Sequence, residues 1–148
     1  MKNILTKVFM MILIGGASPY GYSCITEPWY DITSKPVERM NYADIVFYGK
    51  LIEFNDFTDY EQIVTFEVLD TYKGPELKAV TITNYLNSSC SRVITSKGSA
   101  YYIYATLDEH RSIYVMDGGA TFVPDTIAKE KELRKKLETA HNKSLKNN

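Results

Sequence analysis

The two cysteines of this chain, Cys24 and Cys90, are the residues whose chemistry is most informative. In an oxidising compartment two cysteines pair, whereas in the cytosol they remain free thiols. A bond between them would close a loop of 67 residues, and loop-closure entropy would then stabilise the fold by about 4 kcal/mol. The choice between a disulfide and two thiols therefore depends on the compartment.

The first 23 residues have the order of a signal peptide. Lys2 and Lys7 form a basic leader, residues 8–14 are apolar, and residues 15–18 are small. The apolar run is shorter than the ~20 residues that span a bilayer, so a membrane anchor or a buried helix is the alternative rather than the expectation. We therefore expect a secreted, periplasmic or cell-surface protein in which Cys24 and Cys90 form a disulfide.

Two positions fit signal cleavage, because Ala17 and Ser23 each end a small-x-small tripeptide. Cleavage after Ser23 makes Cys24 the first mature residue, and cleavage after Ala17 leaves six residues in front of it. A lipoprotein signal would also place Cys24 first, but it favours an aliphatic residue where Gly21 stands. Membrane attachment is thus expected only if Cys24 is lipidated.

The remaining chemistry-bearing residues do not form a catalytic pattern. His110 and His141 have no partner at metal-ligand spacing, so no intrinsic metal site is predicted. Asp108 and Glu109 lie in a turn, where solvated surface is the favoured interpretation. Neither a phosphate-binding glycine loop nor a Gly-x-Ser-x-Gly motif is found in the sequence. We expect no catalytic residue and no cofactor, and a binding or inhibitory module rather than an enzyme.

The charge distribution argues against nucleic acid as a partner. The net charge is -1, but residues 129–148 hold seven Lys or Arg and only three Glu, which leaves the preceding body acidic. Tyr101 and Tyr102 could stack on nucleobases, but an acidic, exported body favours packing in the core or across strands. The partner expected is an extracellular or periplasmic protein.

Alternation of apolar and polar residues predicts five strands, at 44–54, 61–72, 78–85, 100–107 and 112–116. Helical turns are expected at 37–42, with three residues toward the core: Val37, Met40 and Tyr42. A helix from 126 to about 141 carries a thin apolar stripe: Ile127, Leu133, Leu137 and Ala140.

These elements predict a mainly β fold, a five-stranded, partly open barrel of the oligonucleotide/oligosaccharide-binding type, with a short N-terminal helix and a C-terminal helix. A β-sandwich is the alternative, but it usually needs about seven strands. The domain boundaries expected are 1–23 for the signal peptide, 24–125 for the barrel and 126–148 for the helix and basic tail.

Four stretches together resemble the family of tissue inhibitors of metalloproteinases, its bacterial relatives and the netrin-like modules: residues 43–50, 64–74, 89–91 and 98–105. The resemblance runs from Cys24 to the final helix and implies a five-stranded barrel. It also implies that Cys24 bonds to Cys90. Thr26 and Met116 stand where the family has a second cysteine pair, and replacing both leaves no orphan thiol.

The resemblance further implies an inhibitory mechanism at the new N-terminus. The free α-amine and carbonyl of Cys24 would chelate the zinc of a target protease, which requires a neutral amine. Ile25 would enter the specificity pocket of the protease, and Ser89, Cys90 and Ser91 would flank both residues. The alternative is an exported or surface-attached interaction module of the same fold without inhibitory activity.

Overall fold

The computed structural model describes residues 35–55, 60–86, 91–117, 121–124 and 126–146. Its elements, in chain order, are α1 (Pro36–Tyr42), β1 (Ile45–Phe54), β2 (Glu61–Lys73), β3 (Ala79–Tyr85), β4 (Ala100–Asp108), β5 (Ile113–Asp117), β6 (Thr121–Phe122) and α2 (Ile127–Leu145). The first five strands lie within one residue of their predicted bounds. The short β6 was not predicted, and α2 continues four residues beyond the predicted end at His141.

The first five strands close into a barrel, which confirms the predicted fold class. The hydrogen-bonded order is β1-β2-β3-β5-β4, and β4 pairs again with β1. All of these pairs are antiparallel except β3 with β5. The expected barrel was partly open, whereas the barrel is closed because Ile45–Lys50 of β1 pairs continuously with Ala100–Ala105 of β4.

Irregular pairing between β1 and β2 gives these strands the curvature that closure requires. The register shifts three times, at Val46/Phe47, Tyr48/Gly49 and Leu51/Glu53. A bulge bends a strand and increases its twist. It also reverses which face the following side chains occupy.

The barrel interior is filled by apolar residues that alternate along the strands. The fully buried ones include Leu51, Val64, Phe66, Ile82 and Ile103. The alternation is clear in β2, where Val64 and Phe66 face inward and Glu67 faces outward. Gly49 supplies space here, because a Cβ at this position would lie 2.7 Å from Cε2 of Phe47.

A second apolar layer lies outside the barrel, where the two helices cover β4 and its neighbours. Tyr102 stacks near Tyr48 at 4.7 Å and near Tyr72 at 6.2 Å between ring centroids. Arg134 of α2 lies 5.1 Å above the ring of Tyr48 and bonds Asp70. Because Tyr102 is fully buried, the predicted packing role of this tyrosine is confirmed.

Three predicted core positions on the helices are wrong. Val37 is 38% exposed, Tyr42 60% and Ile127 74%, whereas Met40, Leu133 and Leu137 are buried as expected. The sequence Pro36-Val37 begins the helix with proline at its first turn. This start places Pro36, Arg39 and Met40 on the inner face, while Ile127 falls in the first turn of α2.

Candidate binding edge of the barrel

Of the predicted binding residues, Ser89, Cys90 and Ser91 belong to the stretch of sequence between β3 and β4. Cys24, Ile25, Ser89 and Cys90 lie outside the described residues, and so does the predicted disulfide. Ser91 is described and half-buried, and it begins the segment 91–99 that enters β4. We call this segment the entry loop.

Gln62 fixes the centre of the entry loop. Its Nε2 donates to the carbonyl oxygen of Ile94 at 2.9 Å, and its Oε1 accepts from the amide of Ile94 at 3.0 Å. The amide side chain thus satisfies both main-chain groups of Ile94, as a neighbouring strand would. Gln62 is fully buried and Ile94 is 3% exposed, so the loop is held against the interior rather than over solvent.

Asn84 extends this anchor from the neighbouring strand. It lies opposite Gln62 in the β2–β3 register. Its Nδ2 donates to the carbonyl oxygen of Arg92 at 2.9 Å and to Oε1 of Gln62 at 3.3 Å. Two adjacent buried amides therefore hold the main chain at Arg92 and at Ile94, immediately after Ser91.

The far end of the entry loop is tied to β1. The amide of Gly98 donates to the carbonyl oxygen of Leu51 at 2.8 Å, and the amide of Leu51 donates to the carbonyl oxygen of Ser99 at 2.9 Å. Gly98 turns the chain with a φ of 89°, a left-handed conformation that favours glycine. The loop is consequently fixed at both ends, across one end of the barrel.

The surface beside the entry loop is partly apolar. Val93 is 41% exposed and Val123 is 51% exposed. Between them is a cavity of about 140 Å³ lined by Arg92, Val93, Ile94, Thr95, Ser96, Tyr101 and Val123. Its size suits one side chain of a bound protein, not a large cofactor.

An ion pair braces the same end of the barrel. Nη1 of Arg111, in the β4–β5 turn, donates to Oε1 of Glu61 at 3.2 Å and to the hydroxyl of Tyr85 at 2.7 Å. The bond to Glu61 raises the pKa of Arg111. These contacts link the start of β2, the end of β3 and the β4–β5 turn.

Sequence reasoning missed Gln62 and Asn84, although a signal was present. Gln62 shares its strand face with Val64 and Phe66, and Asn84 follows the alternation of Val80 and Ile82. An amide at a core position must find hydrogen bonds, because burial without a partner costs roughly 1–3 kcal/mol. The alternation could therefore have indicated that both amides form hydrogen bonds with a neighbouring segment of the chain.

Within the described ranges, no three His, Cys, Asp or Glu side chains are grouped so that they could hold a metal ion. The helices of the described part are too short or too polar to cross a membrane. Comparison with models of known protein families found no match for this chain, and comparison with curated proteins also found none.

Proposed function

We propose that this chain is an exported protein-binding module whose binding edge is the entry loop together with residues 89 and 90, and that its specific activity is inhibition of a zinc metalloprotease. One observation supports this best: Gln62 and Asn84 fix the main chain directly after Cys90. The closed five-stranded barrel is also the fold that the family resemblance implied.

A loop fixed before binding favours tight association. A flexible loop loses conformational entropy when a partner immobilises it, whereas a fixed loop has already lost that freedom on folding. Cys90 is two residues from Arg92, so its Cα lies within about 7 Å of the anchored Arg92 Cα. A disulfide spans about 4.4–6.8 Å between Cα atoms, so it would bring Cys24 to the same edge.

The proposed chemistry depends on a free N-terminus at Cys24. The neutral α-amine and the carbonyl oxygen would bind the zinc of the protease in place of its water, and Ile25 would enter the specificity pocket. Ser89 and Ser91 would contact the protease on either side of Cys90. An α-amine has a pKa near 8, so inhibition should strengthen as pH rises through about 8.

The test begins with N-terminal sequencing and the intact mass of the secreted protein, followed by titration against a panel of zinc endopeptidases. A mature chain that begins at Cys24 should inhibit at least one of them. A variant with one alanine inserted before Cys24 should lose at least 100-fold in potency. Its disulfide, checked by mass after thiol alkylation, should remain. Unchanged potency, or a different first residue in the active protein, contradicts the zinc mechanism.

The second candidate is protein binding at this edge without inhibition. The exposure of Val93 and Val123 beside the small cavity favours it, because the zinc mechanism does not use these side chains. In that case Val93→Asp should weaken binding to the partner, and the alanine insertion before Cys24 should leave it unchanged. The two variants therefore separate the candidates.

A further inference from the structure

A second concave surface lies between α1 and α2. We call it the helix groove. Its volume is about 750 Å³, within the range of sites that bury a ligand of peptide-fragment size. It is lined by Val37, Asn41, Glu132, Lys135, Lys136, Thr139, Ala140, Lys143 and Ser144.

The helix groove combines apolar surface with unbalanced positive charge. Val37 is 38% exposed in it. Nζ of Lys136 pairs with Oε1 of Glu132 at 2.7 Å. Lys135 and Lys143 have no acidic partner in the part of the chain that the structure describes. A complementary occupant would carry apolar side chains and carboxylates but no cations.

Residues 26–34 have this composition and lead directly into the wall of the groove. They contain Glu27 and Asp31, three large apolar or aromatic residues, and neither lysine nor arginine. The large residues are Trp29, Tyr30 and Ile32. The segment ends one residue before Lys35, where the described chain enters α1. The charge of residues 26–34 and their direct connection to α1 therefore both favour this segment as the occupant of the groove.

The connecting chain is long enough. The seven residues of α1 rise about 10 Å in total, whereas the six steps from Trp29 to Lys35 can span about 20 Å. Trp29 can thus reach any point along the wall that Val37 and Asn41 form. Glu27 and Asp31, which lie two residues before and after Trp29, can likewise come close to α2.

We propose that residues 26–34 bind in the helix groove, with Trp29 on its apolar floor and Glu27 and Asp31 beside Lys135 and Lys143. Burial of the indole removes a large apolar area from water, and the lysines offset the two carboxylates. The segment is present in the mature chain with either cleavage site, so this assignment does not depend on the proposed inhibition.

The assignment is compatible with a disulfide at the barrel edge. The chain enters β1 from α1 next to Ala105, and β1 reaches the entry loop at Leu51. The residues from Ile45 to Leu51 span about 20 Å, whereas the eleven steps from Cys24 to Lys35 span about 36 Å. The extended chain from Lys35 to Cys24 is therefore longer than β1 from Ile45 to Leu51, and a groove-bound segment that runs toward the entry loop would bring Cys24 to that end of the barrel.

Trp29 is the only tryptophan in the sequence, so its fluorescence reports on this segment alone. The experiment uses the full mature protein with selective tryptophan excitation, and measures emission wavelength and acrylamide quenching relative to the same chain in denaturant. The wild type should show blue-shifted emission and quenching that is severalfold weaker. The double variant K135E/K143E should shift both values toward those of the unfolded chain.

The matched control is Lys131→Glu, which reverses an exposed charge on α2 outside the groove and should leave both values unchanged. Asp31→Lys in the K135E background should restore shielding at least in part, since it exchanges the two charges. Circular dichroism confirms that each variant is folded. The proposal is overturned if Trp29 of the wild type has the emission wavelength and quenching of the unfolded chain. It is also overturned if K135E/K143E and the wild type show equal emission and quenching. Loss of inhibition with shielding intact refutes only the zinc mechanism.

Discussion

Replacing Gln62 with leucine tests whether a buried amide holds the entry loop in place. The substitution keeps the approximate volume of the side chain but removes its donor and acceptor. It deletes the two bonds to Ile94, at 2.9 and 3.0 Å, and the 3.3 Å bond from Asn84. The strand itself should remain, because the main chain of Gln62 still pairs with Asn84.

The cost of Gln62→Leu can be worked out for both ways in which the loop could respond. If the loop stays, the amide and carbonyl of Ile94 remain buried without partners, and each unsatisfied group costs about 1–3 kcal/mol. If the loop detaches, water satisfies both groups, but Ile94 loses a burial that is worth about 1.5–3 kcal/mol. Either response destabilises the protein, and we expect a loss of about 2–4 kcal/mol in the free energy of unfolding.

Urea denaturation measures this loss, and amide hydrogen exchange at Ile94 shows which response occurs. The control is Thr65→Val, which removes an exposed hydroxyl contact of 3.1 Å to Thr81 and should change stability by no more than about 0.5 kcal/mol. A Gln62→Leu protein as stable as wild type, with the Ile94 amide still protected, would show that the amide does not anchor the loop.

Two further predictions concern the layer between the barrel and the helices. Arg134→Met removes the salt bridge to Asp70 and the contact with the Tyr48 ring. Because these groups are partly exposed, the free energy of unfolding measured in urea should fall by about 1–1.5 kcal/mol, and this loss should become smaller with added salt. Lys136→Met breaks a more exposed bridge and should destabilise the protein measurably less than Arg134→Met; equal costs would contradict the difference in burial. Burial raises the pKa of Tyr104 above its ordinary value near 10. Above pH 10 the unfolded chain therefore loses this proton while the folded protein keeps it, so the free energy of unfolding is unaffected below pH 10 and falls as pH rises beyond that. Its buried hydroxyl has no partner among the described atoms, so Tyr104→Phe should raise the free energy of unfolding by about 1 kcal/mol near neutral pH. The variant should also lose less stability at alkaline pH, and an unaltered slope of the free energy of unfolding between about pH 8 and pH 11 would count against this reasoning.

The strands could be predicted from the sequence because their side chains alternate. In β2 and β3, apolar residues such as Val64, Phe66 and Ile82 recur every second position, and turn-forming residues separate one strand from the next. A barrel with one buried face imposes this period. Five such strands in this order were sufficient to predict the fold class.

The outer layer could not be predicted, because it depends on where the alternation breaks. The pairs Tyr48↔Asp70 and Gly49↔Val68 leave Leu69 as an extra residue, so Asp70 reaches Arg134 outside the barrel. A bulge is set by the pairing of two distant strands, and no local pattern marks it. Val37, Tyr42 and Ile127 were misassigned for a similar reason, since contacts with the barrel select which side of each helix is buried.

The pairing of β1 with β4 also governs when the molecule can fold. Ile45 lies opposite Ala105, so the ring of strands stays incomplete until most of the polypeptide is present. Contacts between residues so far apart in sequence form slowly, typically in milliseconds to seconds. If the chain crosses a membrane as it is made, this delay keeps the polypeptide unfolded, and therefore able to pass through a translocation channel, until β4 has crossed. Closure of the barrel would then occur on the far side of that membrane.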